Sequence, residues 1–114
     1  MLSRVLPTLM LSLAIAAAAS VQARADEPVT YETTLKGNAF TVPEIIVPAG
    51  KPFKIKMTNA NAGPAELESR DLKIEKTAAG NRSITVRVKA QQPGKYLFFD
   101  EYQEDVAKGY VVVQ

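Results

Sequence analysis

Apolar and polar side chains alternate along much of the chain after residue 28. In residues 52–59, PFKIKMTN, the apolar Phe53, Ile55 and Met57 alternate with Lys54 and Lys56. This period of two is typical of a strand with one buried face and one solvated face, and it puts Met57 in the core. Other segments rich in β-branched and aromatic residues predict further strands: 29–36, 40–47, 72–76, 83–90, 96–99 and 110–114.

Turn-forming residues separate these segments. Gly37-Asn38, Pro48-Ala49-Gly50, Ala79-Gly80-Asn81 and Pro93-Gly94 each fall between two apolar runs. Pro43 interrupts the run at 40–47 and predicts an edge strand or a strand that changes sheet midway. About seven short strands without a long helical pattern indicate an all-β fold, a Greek-key antiparallel β-sandwich.

The first 25 residues have the pattern of a secretory signal peptide. A basic start at Arg4 precedes the apolar run VLPTLMLSLAIAAAAS, and Ala23 and Ala25 are the small residues expected before a cleavage site. The apolar run is shorter than the ~20 residues that span a bilayer. We therefore predict cleavage between Ala25 and Asp26, export to the periplasm, and a single domain over residues 26–114 that does not span a membrane.

The composition of this domain excludes several kinds of ligand and catalysis. The whole chain has 14 basic and 12 acidic residues, but Arg4 and Arg24 belong to the predicted signal peptide, so the mature chain is formally neutral. Without a basic stripe, no nucleic-acid partner is expected. The chain has no Cys, His or Trp, which excludes thiolate and imidazole as metal ligands and removes Ser-His-Asp and Cys-His catalysis.

An acidic loop follows the strand at 96–99. Residues 100–105, DEYQED, hold four carboxylates and no positive charge. One interpretation is a solvated turn, in which Asp100 caps the first helical turn and Gln103 is its capping-box partner. The other is a cation site formed with the ELE segment at 66–68, since oxygen ligands suit hard cations. The main candidate metal ligands are Glu66, Glu68, Glu101 and Glu104, with Asp100 and Asp105 as second choices.

Three segments together resemble a known family. FTVPEIIVPAGKPFKIKMTNANAGPAELE, QQPGKYLFFDEY and AKGYVVV resemble a cupredoxin from its second strand to its end. The pattern is similar to the small cupredoxin-like domains of bacterial iron-uptake systems, the EfeO-type domain and its stand-alone Ftr-type relatives. The resemblance covers nearly all of residues 26–114 and implies a cupredoxin-like sandwich.

The resemblance also assigns positions to the copper ligands of that family. The first histidine falls near Ala65 or Glu66, the cysteine on Asp100, the second histidine on about Gln103 and the methionine on about Ala107. None of these residues supplies the thiolate and imidazoles of a blue-copper centre. We therefore expect no type 1 copper and no intense blue colour with Cu²⁺.

In the iron-uptake branch the same two loops carry carboxylates, so the resemblance favours the cation site over the solvated turn. It implies iron as the metal, with copper held by oxygen ligands as the less favoured choice. It also implies an inner-membrane iron permease or another iron-uptake component as partner. Whether the protein is an enzyme stays open, with a non-enzymatic role favoured; an accessory role in iron oxidation would need a redox centre from elsewhere. The alternative is a metal-free, cupredoxin-shaped interaction module that acts through its acidic loop.

Overall fold

The computed structural model describes residues 27–114, together with Ser3. The predicted signal peptide and its cleavage site between Ala25 and Asp26 lie outside these residues. In the described part, nine strands and one 3₁₀ turn follow one another along the chain: β1 (Thr30–Lys36), β2 (Ala39–Phe40), β3 (Glu44–Val47), β4 (Phe53–Asn59), β5 (Ala65–Ser69), β6 (Ile74–Ala78), β7 (Ser83–Val88), β8 (Gly94–Asp100), the 3₁₀ turn (Glu101–Gln103) and β9 (Lys108–Val113).

The strands form two sheets that face each other. The four-stranded sheet has the order β2-β1-β4-β7, and the five-stranded sheet has the order β3-β9-β8-β5-β6. The predicted all-β sandwich is confirmed, with nine strands where about seven were expected. The sheets are mixed rather than purely antiparallel, because β1 pairs with β4 and β3 pairs with β9 in parallel.

Pro43 explains one of the two additional strands, and β5 is the other. It lies between β2 and β3 and divides the apolar run at 40–47 into two short edge strands, one in each sheet. Proline has no backbone N–H to donate to a ladder, so the chain crosses between the sheets at this point. The Pro43 carbonyl instead accepts a hydrogen bond from Tyr110 N at 2.8 Å. Both features predicted for this run, an edge position and a change of sheet, are present.

The alternating residues of the strands meet between the two sheets. Along β4 every second residue is buried, and Met57 is fully buried in the core. Phe98 packs edge-on against Phe40, with the ring centroids 5.0 Å apart. All the buried hydrophobic residues of the described part lie between Leu35 and Val113. Residues 27–114 therefore contain one hydrophobic core, and among them no helix is long and apolar enough to cross a membrane.

Asn59, at the end of β4, fixes the loop that leads to β5. Its side chain is fully buried; Nδ2 donates to the Gly63 carbonyl at 2.8 Å, and Oδ1 accepts from Asn61 N at 3.0 Å. The Asn61 side chain in turn accepts from Gly37 N at 2.7 Å, which joins this loop to the turn after β1. These bonds set the starting point of β5, which carries two of the predicted site residues.

Candidate metal centre

The acidic loop begins with a local cap at Asp100. Asp100 has an extended backbone at the end of β8, and its Oδ1 accepts a hydrogen bond from Tyr102 N at 3.3 Å. Gln103 Nε2 donates to Asp100 Oδ2 at 3.1 Å. The predicted N-cap is confirmed, but the Gln103 amide contacts the capping carboxylate rather than the Asp100 backbone N–H. That N–H donates instead to the Ala107 carbonyl at 3.0 Å.

Asp100 also holds the acidic loop against β5. Its Oδ1 accepts from Glu66 N at 3.0 Å, and the side chain is 1% exposed. Because Asp100 is opposite the buried Leu67 in the β5–β8 register, it points into the sandwich. Three hydrogen-bond donors, Glu66 N, Tyr102 N and Gln103 Nε2, therefore converge on this carboxylate, which gives it a structural role in the loop.

The positions that the resemblance assigned to copper ligands are joined by hydrogen bonds. Asp100 accepts from Glu66 N and from the Gln103 side chain. Ala107, which is fully buried, donates its N–H to the Gln103 carbonyl at 2.9 Å. With no sulfur or imidazole at these positions, the residues present do not fit a type 1 copper centre.

A separate group of carboxylates lies on the outer face of the five-stranded sheet. Glu66 and Glu68 alternate along β5 with the buried Ala65, Leu67 and Ser69, so their side chains leave the core side of the sheet. Glu101 follows at the start of the 3₁₀ turn. Each of the three glutamates has a carboxylate oxygen within 4.8 Å of those of the other two. We call these three residues the glutamate cluster.

A fourth acid, Glu75, borders the glutamate cluster. It is opposite Glu68 in the antiparallel register of β5 and β6. Side-chain hydrogen bonds of Glu66 with Glu75 and then with Glu101, followed by partial burial, raise the pKa of Glu66 to about 8. A hydrogen bond between two carboxyl groups needs a proton on one of them, so the cluster holds a proton at neutral pH.

Glu68 is half-buried and has one carboxylate oxygen that is shielded from solvent. Partial burial and then the nearby charge of Glu101 raise its pKa, while Arg70 lowers it. Its Oε2 atom is buried and has no hydrogen-bond partner among the described residues. A buried carboxylate oxygen without a partner is costly, and a cation shared with Glu66 and Glu101 would remove that cost.

The other predicted ligands lie outside the cluster. Arg70 Nη1 donates to Glu104 Oε1 at 2.9 Å, and this bond is the main cause of the lowered pKa of Glu104. The Arg70 guanidinium also lies over the Phe99 ring, 4.8 Å from its centroid. Asp105 is exposed. Of the six predicted ligands, the structure brings together Glu66, Glu68 and Glu101, and separates from them Glu104, Asp100 and Asp105.

The sequence prediction did not include Glu75. The segment at 72–76 was predicted as a strand, but its partner strand was not. A hairpin between the ELE segment and this strand, turning at residues 70–73, would have put an acid of β6 beside Glu68. The sequence signal that could identify Glu75 is therefore the short separation between two strand segments that both carry glutamates on their polar side.

Comparison with known proteins agrees with the architecture. A model of the cupredoxin-like domain family matches residues 8–113. An uncharacterized protein of Rickettsia prowazekii (strain Madrid E) is 33% identical over 89 residues, which cover 77% of this chain and 70% of that protein. The chain therefore belongs to the cupredoxin-like domain family, as the sequence predicted.

Solved structures of copper proteins share the fold. Auracyanin A, a "blue" copper protein from Chloroflexus aurantiacus, superposes with a TM-score of 0.68 at 23% identity, over 77% of this chain and all of that one. The metal-binding domain of the Cu(I)-exporting P-type ATPase CopA from Streptococcus pneumoniae D39 gives a TM-score of 0.68 at 15% identity, over 77% and 88% of the two chains. At these identities the likeness concerns the fold alone.

Proposed function

We propose that this protein is an exported metal-binding protein whose glutamate cluster holds a cation on the outer face of the five-stranded sheet. The observation that carries the proposal is the convergence of Glu66, Glu68 and Glu101, with ligand oxygens within 4.8 Å of one another. The Oε2 atom of Glu68, which is buried and has no hydrogen-bond partner among the described residues, supports the proposal. Buried polar atoms of this kind are normally paired with a hydrogen-bond donor or a cation. Glu75 lies opposite Glu68 on β6 and adds a fourth carboxylate beside this group.

The donor set selects the class of metal. Carboxylates are hard ligands, and with no thiolate or imidazole in the chain they suit Fe³⁺, Mn²⁺ or Ca²⁺ better than Cu⁺. We propose iron as the cargo, in line with the resemblance to the iron-uptake branch. Cu²⁺ held by the same oxygens is the less favoured choice. The copper-protein neighbours are consistent with metal binding by this fold, but their ligand types do not occur in this sequence.

The location of the cluster suggests how the metal is used. Glu101 is exposed and Glu66 and Glu68 are half-buried, so a bound ion stays in contact with solvent and can exchange. This property suits a protein that receives iron in the periplasm and hands it to an inner-membrane permease. Oxidation of the iron would require a partner with its own redox centre, because carboxylates alone supply none.

Metal titration of residues 27–114 tests the proposal. Calorimetry with anaerobic Fe²⁺, ferric citrate, Mn²⁺ and Cu²⁺ should give one site per chain for the wild type. Glu66→Gln and Glu101→Gln keep the size of the side chain and remove a carboxylate that the bound metal would use as a ligand, so each should weaken binding by about tenfold or more. Glu32→Gln is the matched control, since Glu32 is exposed on the other sheet in an ion pair with Lys56. If the wild type takes up no metal at micromolar concentration, or all four proteins bind alike, the cluster is not a metal site.

A second function is favoured by the hydrogen-bonded loop at the copper-ligand positions. Asp100, Gln103 and Ala107 are tied to one another there, as expected for a cupredoxin-shaped module that needs no metal to be ordered. In that case the acidic loop would bind a protein directly. Absence of metal uptake in the titration, with an unchanged fold, would favour this second function.

A further inference from the structure

The outer face of the four-stranded sheet is basic. Along β4, Lys54, Lys56 and Thr58 alternate with buried residues and point away from the core. In the sheet register Lys54 is flanked by Thr30 of β1 and Arg87 of β7. The next row of the same face holds Glu32, Lys56 and Thr85, and the row after it holds Thr34, Thr58 and Ser83. Apart from Glu32, these side chains are either cationic or small and polar.

Only one acid lies on this face among the outward residues of β1, β4 and β7. Glu32 forms an ion pair with Lys56 at 3.4 Å. Lys54 and Arg87 make no ion pair within residues 27–114. Lys76 of the neighbouring β6 extends to the border of the face, where its Nζ is 3.4 Å from the Thr85 carbonyl. The face therefore carries an excess of positive charge, although residues 26–114 are formally neutral.

The two outer faces of the sandwich differ in charge. The glutamate cluster and Glu75 lie on the outer face of the five-stranded sheet, opposite the basic face. The outward residues of β1, β4 and β7 include no large exposed hydrophobic side chain. The large exposed hydrophobic residues of the described part lie outside these three strands: Val29, Val42, Ile46, Tyr102, Val106 and Tyr110.

We propose that this basic face, defined by Lys54, Lys56 and Arg87 with Lys76 at its border, binds the surface of an anionic lipid bilayer. A sheet face with several cations and small hydroxyl side chains is complementary in charge to a layer of anionic headgroups. A specific protein partner would need aromatic or large apolar anchors in a pocket, and the outward residues of this face supply none. Bound in this way, the domain would present the glutamate cluster away from the bilayer.

A second copy of the chain is a poorer occupant. The opposite sheet face has mixed charge, because Arg70 and Lys108 lie near Glu104. It also carries Lys95, whose Nζ is 4.3 Å from the centroid of the Tyr110 ring. A surface of mixed sign is less complementary to a basic face than a layer of anionic headgroups. The proposal does not depend on metal binding, since none of its residues belongs to the glutamate cluster.

Vesicle co-sedimentation of residues 27–114 tests this assignment. Binding should occur to vesicles containing 30% phosphatidylglycerol at low salt, should be absent with pure phosphatidylcholine, and should fall steeply at 0.5 M NaCl because the attraction is screened. Removing one cation should weaken binding about fivefold. The double variant Lys54→Gln/Arg87→Gln should therefore lose roughly 25-fold, as the two effects combine.

The matched control is Lys95→Gln/Lys108→Gln, which lowers the net charge equally on the opposite sheet. It should bind the vesicles as the wild type does, and thermal melts should show that all three proteins are folded. Equal loss in both double variants would overturn the proposal, because binding would then follow net charge and not this face. Absence of binding to phosphatidylglycerol vesicles at low salt would overturn it as well, as would salt-sensitive self-association that requires Lys54 and Arg87 without vesicle binding.

Discussion

Asp100 should be essential for stability and dispensable for metal binding. In Asp100→Asn, Oδ1 can still accept from Glu66 N and Tyr102 N. The new Nδ2, however, replaces the oxygen that accepts from Gln103 Nε2 at 3.1 Å. Two N–H donors then face each other, and this hydrogen bond is lost. A hydrogen bond to a charged acceptor contributes about 1.5–3 kcal/mol, so we expect the free energy of unfolding to fall by about 2 kcal/mol. For a domain of this size that loss lowers Tm by roughly 10 °C.

Urea denaturation and thermal melting measure this loss directly, and Asp105→Asn is the matched control because Asp105 is exposed on the same loop. Adding Gln103→Glu to the Asp100→Asn variant restores an acceptor opposite Nδ2 and should recover about half of the loss. The recovery is incomplete because a carboxylate at position 103 cannot replace the bond from Gln103 Nε2 to the Gly37 carbonyl. Metal affinity of Asp100→Asn at a temperature where it is folded should equal that of the wild type.

Two results would refute this reasoning. A loss below about 0.5 kcal/mol, the level of an ordinary surface substitution, would mean that the three donors around Asp100 are satisfied in another way. A tenfold loss of metal affinity in a fully folded Asp100→Asn protein would mean that Asp100 is a ligand and that the site lies on the core side of the sheet.

Three further predictions concern the cluster, its neighbouring arginine and the core. Because the pKa of Glu66 is raised from 4.5 to about 8, the folded state binds this proton more tightly than the unfolded state. Melts of the metal-free protein should therefore show stability falling as pH rises from about 5 to 8, a slope that Glu66→Gln should lack. Arg70→Gln removes a positive charge beside the cluster, so titration should show tighter Mn²⁺ binding, with Arg70→Lys close to the wild type. A Cβ on Gly109 would collide with the Phe98 ring; Gly109→Ala should cost about 1–3 kcal/mol in urea denaturation, whereas Gly63→Ala, with open space around it, should be near neutral.

The sequence predicted those features that depend on neighbouring residues along the chain. The alternation in β4 identifies its buried face because one side of that strand is solvated. The effect of Pro43 follows from its missing N–H, and the cap at Asp100 depends on residues within the same turn. Local rules of this kind need no knowledge of strand pairing.

The composition of the cluster depends on pairing, which the sequence alone left open. Glu75 joins the cluster only through the β5–β6 register. Glu104 is drawn towards Arg70, 34 residues earlier in the chain, and Asp100 is directed inwards by its position opposite Leu67. The four acids of the loop therefore have different surroundings: Asp100 is buried, Glu101 belongs to the cluster, Glu104 pairs with Arg70 and Asp105 is exposed.

The position of β9 has a consequence for how the domain folds. This strand lies between β3 and β8, and β3 pairs with no other strand of the described part. Gln114 N donates to the Val47 carbonyl, and Ala49 N donates to the Gln114 carbonyl, so the first half of the domain is joined to its last residues. Pairing of segments so distant along the chain is slow, because a long loop must be closed first. The complete five-stranded sheet can therefore assemble only after β9 has been synthesised, and loss of this strand would leave β3 without a partner while β8, β5 and β6 could still pair.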